Sequence, residues 1–548
     1  MLALAVLPLP ALSAAGTSFS AERMLAHTKV LASDEFEGRA PGSAGEEKTV
    51  AYLTQEFKKL GLQPGNPDGT FVQAVPLVGI TSRPTLSIEV GGETRTLKHV
   101  EEFVGPTSRI TSHIEVKNSE LIFVGYGIVA PEFGWDDYKD VDVRGKTIVM
   151  LINDPPVRDA ATGTLDPQVF GGKAMTYYGR WTYKYEIAAA KGAAGCLIVH
   201  ETEPAAYPWA VVTGSRSREN FELRTPDGNA GHAAMEGWLT YDAAKSIFAA
   251  AGQNYERLKK AAATREFRPV PLDARASLTI DSTLRDVNSR NVVAKLEGAD
   301  PTLRHEYVVY SAHWDHLGRD ASLAGDQIFN GALDNASGVA VLIELARAFA
   351  ELPADQRAKR SILFLSVTAE EKGLLGSRYY AEHPLYPLTH TVANINMDGA
   401  NTYGRTSDIA VVGLGASTLD DLGLAVAQAQ GRQLTPEEHP EHGSYYRSDH
   451  FEFAKVGVPA FYPKAGRTYL DQPADFGEKL TQEYINKHYH KVSDEVQSDW
   501  TFEGAVQDAE FMFRVGLRVA NDSGRPQWKS GSEFKARREA MLQSAGIN

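Results

Sequence analysis

The chain has 548 residues, 43% of them hydrophobic and 23% charged, with a single cysteine and a formal net charge of -14. That length exceeds one ordinary core and predicts two or three units. The acidic balance argues against nucleic acid, whose phosphates need clustered Lys and Arg. No internal run reaches the roughly 18 apolar residues that span a bilayer, so no membrane span is expected.

The opening MLALAVLPLPALSAAG is an apolar run ending in small residues, though it lacks a basic start, and residues 1–18 read as a signal peptide. That reading places the protein in the periplasm or outside the cell. Ala21 to Leu60 reads as two helices around EFEGRAPGSAGEE, whose Gly and Pro mark a loop. From Ser119 the texture changes to short apolar strands, ELIFVGYGI and GKTIVMLI, then the helical YEIAAAKGA and the strand AGCLIVHE. This is a small α/β insert, and Cys196 within it reads as a small apolar residue of a buried strand, with no disulfide possible inside the chain.

Alternating sequence returns between Pro269 and Ile280. From Ser289 the chain becomes a regular series in which EYVVYSA, SILFLSV and VANINM are buried-strand runs, the first two followed by helical patterns. Strands alternating with helices predict an α/β fold, a mainly parallel mixed sheet covered on both faces. FNGALDNASGVAVLIELARAF is apolar nearly all round from Val339, which predicts a buried helix with one lone acid, Asp334, and Asn335 at its mouth. The polar tail after Ser523 is expected to fray or to pack only loosely. The division expected is a signal peptide at 1–18, a catalytic unit at 19–118 and 273–522 interrupted by the insert at 119–272, and the tail at 523–548.

Chemistry-bearing residues collect where the strands end, as in open α/β sheets that bind ligands beyond the carboxyl edge. His313 and Asp315 follow EYVVYSA, Glu370 and Glu371 follow SILFLSV, and Asp398 follows VANINM. Singly, each has an ordinary explanation: Asp334 as a helix cap, the glutamates as solvated first-turn acids, His313 as a hydrogen-bonded loop residue. Gathered at one edge, the carboxylates would raise each other's pKa values, a conflict that a multivalent cation removes. Mixed imidazole and carboxylate donors suit zinc, and a carboxylate between two ions can bridge them, a role open to Asp334. HYHKVSDE offers a second histidine, His490.

SAHWDHLG, NGALDNASG, TAEEKGLLGS, NINMDG and KHYHKVSDE together resemble the five ligand motifs of the co-catalytic dizinc aminopeptidases. Their superfamily also holds glutamate carboxypeptidase and the transferrin receptor ectodomain. The resemblance implies two zinc ions per chain: His313 and Asp398 would hold one, Glu371 and His490 the other, and Asp334 both. It implies Glu370 as general base on a metal-bridging water, Asp315 as the acid that orients His313, and Tyr489 as a donor to the developing oxyanion. Glu370 and Glu371 are expected to point apart as neighbours in an extended segment. His316, His442, His450 and His488 are expected to be polar loop residues, and Asp449 to help shape the substrate pocket. The insert resembles a protease-associated domain, a type that covers the cleft without supplying ligands.

The substrate implied is a peptide, and the enzyme expected is a zinc exopeptidase acting from the N-terminus, as a monomer or a homodimer. A carboxypeptidase would instead need clustered arginines for a free carboxylate. The candidates Arg405, Arg447, Lys464 and Arg467 are scattered over three segments. The remaining alternative is a receptor-like binding protein that has lost its metals.

Overall fold

A computed structural model describes residues 18–547; the expected signal peptide lies, but for its last residue, outside the described residues. One sheet runs through both halves of the molecule. In the half expected to be catalytic, Tyr307–His313 is central, with Ser361–Val367 parallel on one side and Thr391–Asn396 parallel on the other. Ala460–Lys464 continues in parallel, Asp408–Val412 runs antiparallel to it, and Gln433–Pro436 closes the edge. The fold is therefore the mixed, mainly parallel α/β sheet that the strand and helix alternation predicts.

The continuous apolar strand sequences follow from cover on both faces. Val308, Tyr310 and Ala312 alternate into a core shared with helices Gly338–Ala350 and Glu503–Asn521. Tyr307 and Val309 point the other way, against Tyr380 and Phe453. Helix Gly338–Ala350 is buried along nearly all its length, and Glu344, its one buried acid, is neutralised by Arg23 and Arg347. The two expected N-terminal helices form as Ala21–Leu31 and Ala44–Lys59.

Two long strands connect this half to the insert. Val72–Val90 pairs antiparallel with Val270–Leu296, from Val72 opposite Val292 to Val90 opposite Ala274. Near its end the second strand joins the catalytic sheet through Val292 to Leu296, and near its start it joins His113–Phe123 of the insert. From there Thr147–Leu151, Gly195–His200 and Met235–Thr240 follow in parallel. The insert has its own core, which draws on Leu86, Ile88, Leu97, Phe103 and Ile114 as well as on the residues after Ser119. Cys196 is fully buried in its strand, as its apolar neighbours require.

The tail departs from expectation. Trp528 is buried and donates through Nε1 to the Gly457 carbonyl, and Phe534 stacks on Tyr445. Helix Lys535–Ser544 follows, with Arg538 buried and donating to the carbonyls of Thr391 and Leu388. A few large side chains outweigh the polar average of the segment, because each fully buried aromatic contributes about 1.5–3 kcal/mol.

Candidate metal centre

Because the central strands are parallel, their carboxyl ends deliver residues to one edge. His313 is the last residue of its strand, Asp398 lies two beyond Asn396, and Glu370–Lys372 forms a short 3-10 turn just after Val367. The turn enters through Ala369 at φ 53°, a left-handed conformation that a non-glycine residue adopts at a cost of about 1 kcal/mol or more. It is locked by packing behind it: a Cβ on Gly376 would meet the Thr368 carbonyl oxygen at 2.2 Å, so only glycine fits there.

Asp334 faces two histidines. Its Oδ1 lies 3.3 Å from His313 Nε2, and its Oδ2 lies 3.3 Å from His490 Nε2. Asp398 stands 3.5 Å from the same nitrogen of His313, and Glu371 stands 3.1 Å from that of His490. Glu370 approaches His313 Nε2 at 4.0 Å. All six expected residues thus converge, and Asn335, not Asp334, takes the structural work at the helix mouth. Its side chain accepts the N–H groups of Gly338 and Gly399 and donates to the Met397 carbonyl, tying the helix to the Asp398 loop.

The donor set fits a pair of cations. His313 Nε2 is buried and has no hydrogen-bond partner, a costly state for a nitrogen unless it serves as a ligand. The ligand atoms of His313, Asp334 and Asp398 lie within 4.8 Å of one another, as do those of His316, Asp334 and Glu371, so two groups share Asp334. Electrostatics point the same way. Burial alone would depress His313 and His490, yet the surrounding carboxylates, Glu370 and Asp334 for one and Glu371 and Asp334 for the other, push both well above the usual histidine range. Despite burial, Asp334, Asp398 and Glu371 are held below the carboxylate range by those imidazoles. Burial, with Asp398 and Glu371 adding to it against His313, drives Glu370 well above that range. Without a cation the cluster gathers protons to balance its acids, and cations take their place on binding.

Three expectations change in detail. Glu370 and Glu371 are not in an extended segment: within the 3-10 turn their carboxylates still diverge, Glu371 toward His316 and His490 and Glu370 toward His313. Asp315 is fully buried, but His313 Nδ1 lies 3.1 Å from its backbone carbonyl and 3.8 Å from its carboxylate, which instead accepts the Glu370 N–H. His316 is no polar loop residue; it is fully buried, with Nδ1 2.6 Å from Glu371. Nor is His450, which is buried between the rings of Tyr445 and Tyr462 with neither nitrogen bonded. His488 is bound to the Ser493 carbonyl and His442 stacks on His439. Asp449 is buried and accepts the Ser377 hydroxyl at 2.6 Å.

Tyr489 stacks on His490 with ring centroids 3.9 Å apart and is 42% exposed. Its hydroxyl is pushed well above the usual tyrosine range by desolvation and then by Asp334 and Glu371, so it stays a donor.

Two supporting residues were not singled out in the sequence, although Asp494 lies within KHYHKVSDE. Arg39, from the EFEGR loop, is buried and donates to the carbonyls of Leu31, Trp314, Asn330 and Gly331, clamping the chain just after His313 and shortly before Asp334. Asp494 accepts the N–H groups of Leu333 and Asp334. The lone arginine partners main chain hundreds of residues away, which no local pattern encodes.

Residues 291–513 match the family described as Peptidase family M28, and every residue of the converging cluster falls inside that range. Aminopeptidase NAALADL1 of Rattus norvegicus is 35% identical over 131 residues, which is 23% of this chain and 16% of that protein. Probable leucine aminopeptidase 2 of Aspergillus oryzae is 26% identical over 345 residues, 63% of this chain and 51% of that one. The chain thus spans well under two thirds of the length of these relatives. A solved aminopeptidase from Aneurinibacillus sp. strain AM-1 superposes with a TM-score of 0.51 at 19% identity, covering 93% of this chain and 96% of that one, a likeness of fold. With the motifs, their convergence and this match in agreement, the chain carries a Peptidase family M28 domain across residues 291–513.

Proposed function

We propose that the chain is a zinc aminopeptidase, secreted or periplasmic, that binds two zinc ions and removes N-terminal residues from peptides. The observation that carries this reading is Asp334, whose two oxygens face His313 and His490 at equal distance. His313 and Asp398 would hold one zinc, Glu371 and His490 the other, and Asp334 both. When bound, the zinc pair supplies a Lewis acid that polarises the scissile carbonyl and makes water a nucleophile at neutral pH.

The chain's own residues do the rest. Glu370, unclaimed by either histidine at hydrogen-bond distance, takes the proton from the attacking water and delivers it to the leaving amine. The buried Asp315 carboxylate fixes the backbone of that base. Tyr489 donates its hydroxyl to the developing oxyanion. The acidic surroundings favour a substrate ammonium over a substrate carboxylate at the metals themselves. The relatives named above bear the name aminopeptidase, which supports the same choice.

The test is one peptide in free, N-acetylated and C-amidated forms, with metal content measured alongside. Acetylation should stop hydrolysis, amidation should not, and the purified protein should carry about two zinc ions per chain. Hydrolysis that survives acetylation and stops on amidation would make the enzyme a carboxypeptidase. Less than one tightly bound metal per chain, with no hydrolysis, would leave a binding protein.

A further inference from the structure

Where the insert meets the other half, Arg180 is buried and Arg447 is half-buried with two of its guanidinium nitrogens covered, and among the described residues neither has an acid to pair with. Arg180 is 7% exposed and stands at the N-terminal end of helix Trp181–Ala190, yet makes no capping bond, and its Nε is a buried donor without a partner. Arg447 comes from the catalytic half; its Nε and one terminal nitrogen are likewise buried and unpartnered. Other buried arginines here are engaged through their remaining nitrogens: Arg39 by four carbonyls, Arg360 by Glu306, Arg432 by Asp508 and Arg538 by two carbonyls, although one terminal nitrogen of Arg432 and Nε of Arg538 also lack a partner. Covered guanidinium nitrogens left without an acceptor are costly, so two arginines in this state together mark a place where an anion arrives.

Each arginine reaches across the seam. The Arg180 side chain packs against Gly443 of the catalytic half, close enough that a Cβ there would lie 3.4 Å from its Cδ. Arg447 sits over the ring of Tyr207 of the insert, 5.5 Å from the centroid. Burial and then the charge of Arg447 push Arg180 down to about 9, as neighbouring cations must. The helix N-terminus behind Arg180 adds positive field, with no acid in its first turn.

The place is continuous with the metal centre. Arg447 directly precedes Ser448, which accepts the side chain of Asn396, two residues before Asp398. The other candidate cations are elsewhere engaged or exposed: Arg467 pairs with Glu438, Lys464 lies over Tyr462, and Arg405 is on the surface.

We infer that Arg180 and Arg447 form a carboxylate-binding subsite of the active centre, one guanidinium from each half, which selects peptides carrying a carboxylate near the scissile bond. The inference rests on the peptidase reading and names its substrate class. That carboxylate is either the free C-terminus of a short peptide or an acidic side chain.

Steady-state kinetics on the zinc-loaded full chain separate these sources with two pairs of substrates: Leu-Ala against Leu-Ala-amide, and Leu-Glu-amide against Leu-Gln-amide. For one pair the acid form should be preferred in kcat/KM by roughly ten-fold or more, through KM, as expected for a charge-assisted pair. In Arg180→Met and in Arg447→Met that ratio should fall to about one, with Arg180→Lys retaining part of it, since Lys keeps the charge and loses the fork. If a Met variant does not fold, the Lys variant and the wild-type ratios decide. A wild type that cleaves both members of both pairs alike, variants that keep the preference, or variants that lose both members equally would each overturn the subsite alone. A wild type that cleaves none of the four peptides overturns the peptidase reading and the subsite with it.

Discussion

The Asp315 carboxylate accepts the backbone N–H of Glu370 at 3.0 Å. One residue of the first ligand motif therefore sets the position of the residue assigned as base, 55 positions later in the chain. Asp315→Ala should lower kcat by about 10–100-fold, the usual effect of removing a support behind a metal site. KM and zinc content should change much less, and a loss of zinc in proportion to activity would make Asp315 a ligand support instead.

Glu370→Ala should keep both zinc ions and the fold while turnover falls by roughly 10²–10⁴, the range for a positioned general base. Metal analysis and kinetics on the same sample check it. Near-normal turnover with zinc in place would assign the base elsewhere.

Asp334→Ala should lose metal altogether, because both groups of donors share this residue. Equilibrium dialysis against zinc reads the loss directly, without reference to activity. Retention of two tightly bound ions would show that Asp334 does not bridge.

Arg39→Met should destabilise the protein by about 3 kcal/mol or more, since four buried carbonyls lose their donor at once. Urea midpoints on chelator-treated protein measure it free of any metal contribution. A change below about 0.5 kcal/mol, the scale of an ordinary surface substitution, would mean that the loops hold without the clamp.

His450 gives a pH dependence with a definite sign. Burial pushes it down to about 3 from 6.5, against the pull of Asp398 and with the help of Lys464. Below 6.5 the unfolded chain binds a proton that the folded chain refuses, so stability falls as pH drops, by up to about 1.4 kcal/mol per unit. His450→Phe, whose ring suits the slot between Tyr445 and Tyr462, should remove that part of the slope between pH 6.5 and 5. Parallel slopes for the two proteins would show that His450 protonates in place.

Four of the six converging residues, His313, Glu370, Glu371 and Asp398, were legible because parallel strands that are apolar throughout announce themselves and their carboxyl ends fall on one edge by topology alone, whereas His490 was legible only through its motif. Asp334 could be singled out because it is the lone acid before a helix that is apolar nearly all round, although a helix cap was an ordinary alternative for it. His316 and His450 were misjudged because burial of a histidine depends on what the far loops place against it. Arg39 and Arg180 stayed invisible for the same reason, since isolated polar residues in loops carry no period, and Asp494 was passed over inside KHYHKVSDE because the backbone it holds is distant in the chain. The tail was misread because average polarity hides Trp528 and Phe534.

The insert is attached through the paired strands Val72–Val90 and Val270–Leu296, not through a flexible linker. A hydrogen-bonded ladder of that length behaves as a beam: it can twist or flex slightly, but a hinge would require breaking several rungs together. The separation of Arg180 from the metal-facing histidines is thus fixed during folding and needs no closing motion on each turnover. An enzyme built on the proposed subsite would measure its substrates with a rigid gauge, and peptide length would become a property of strand register.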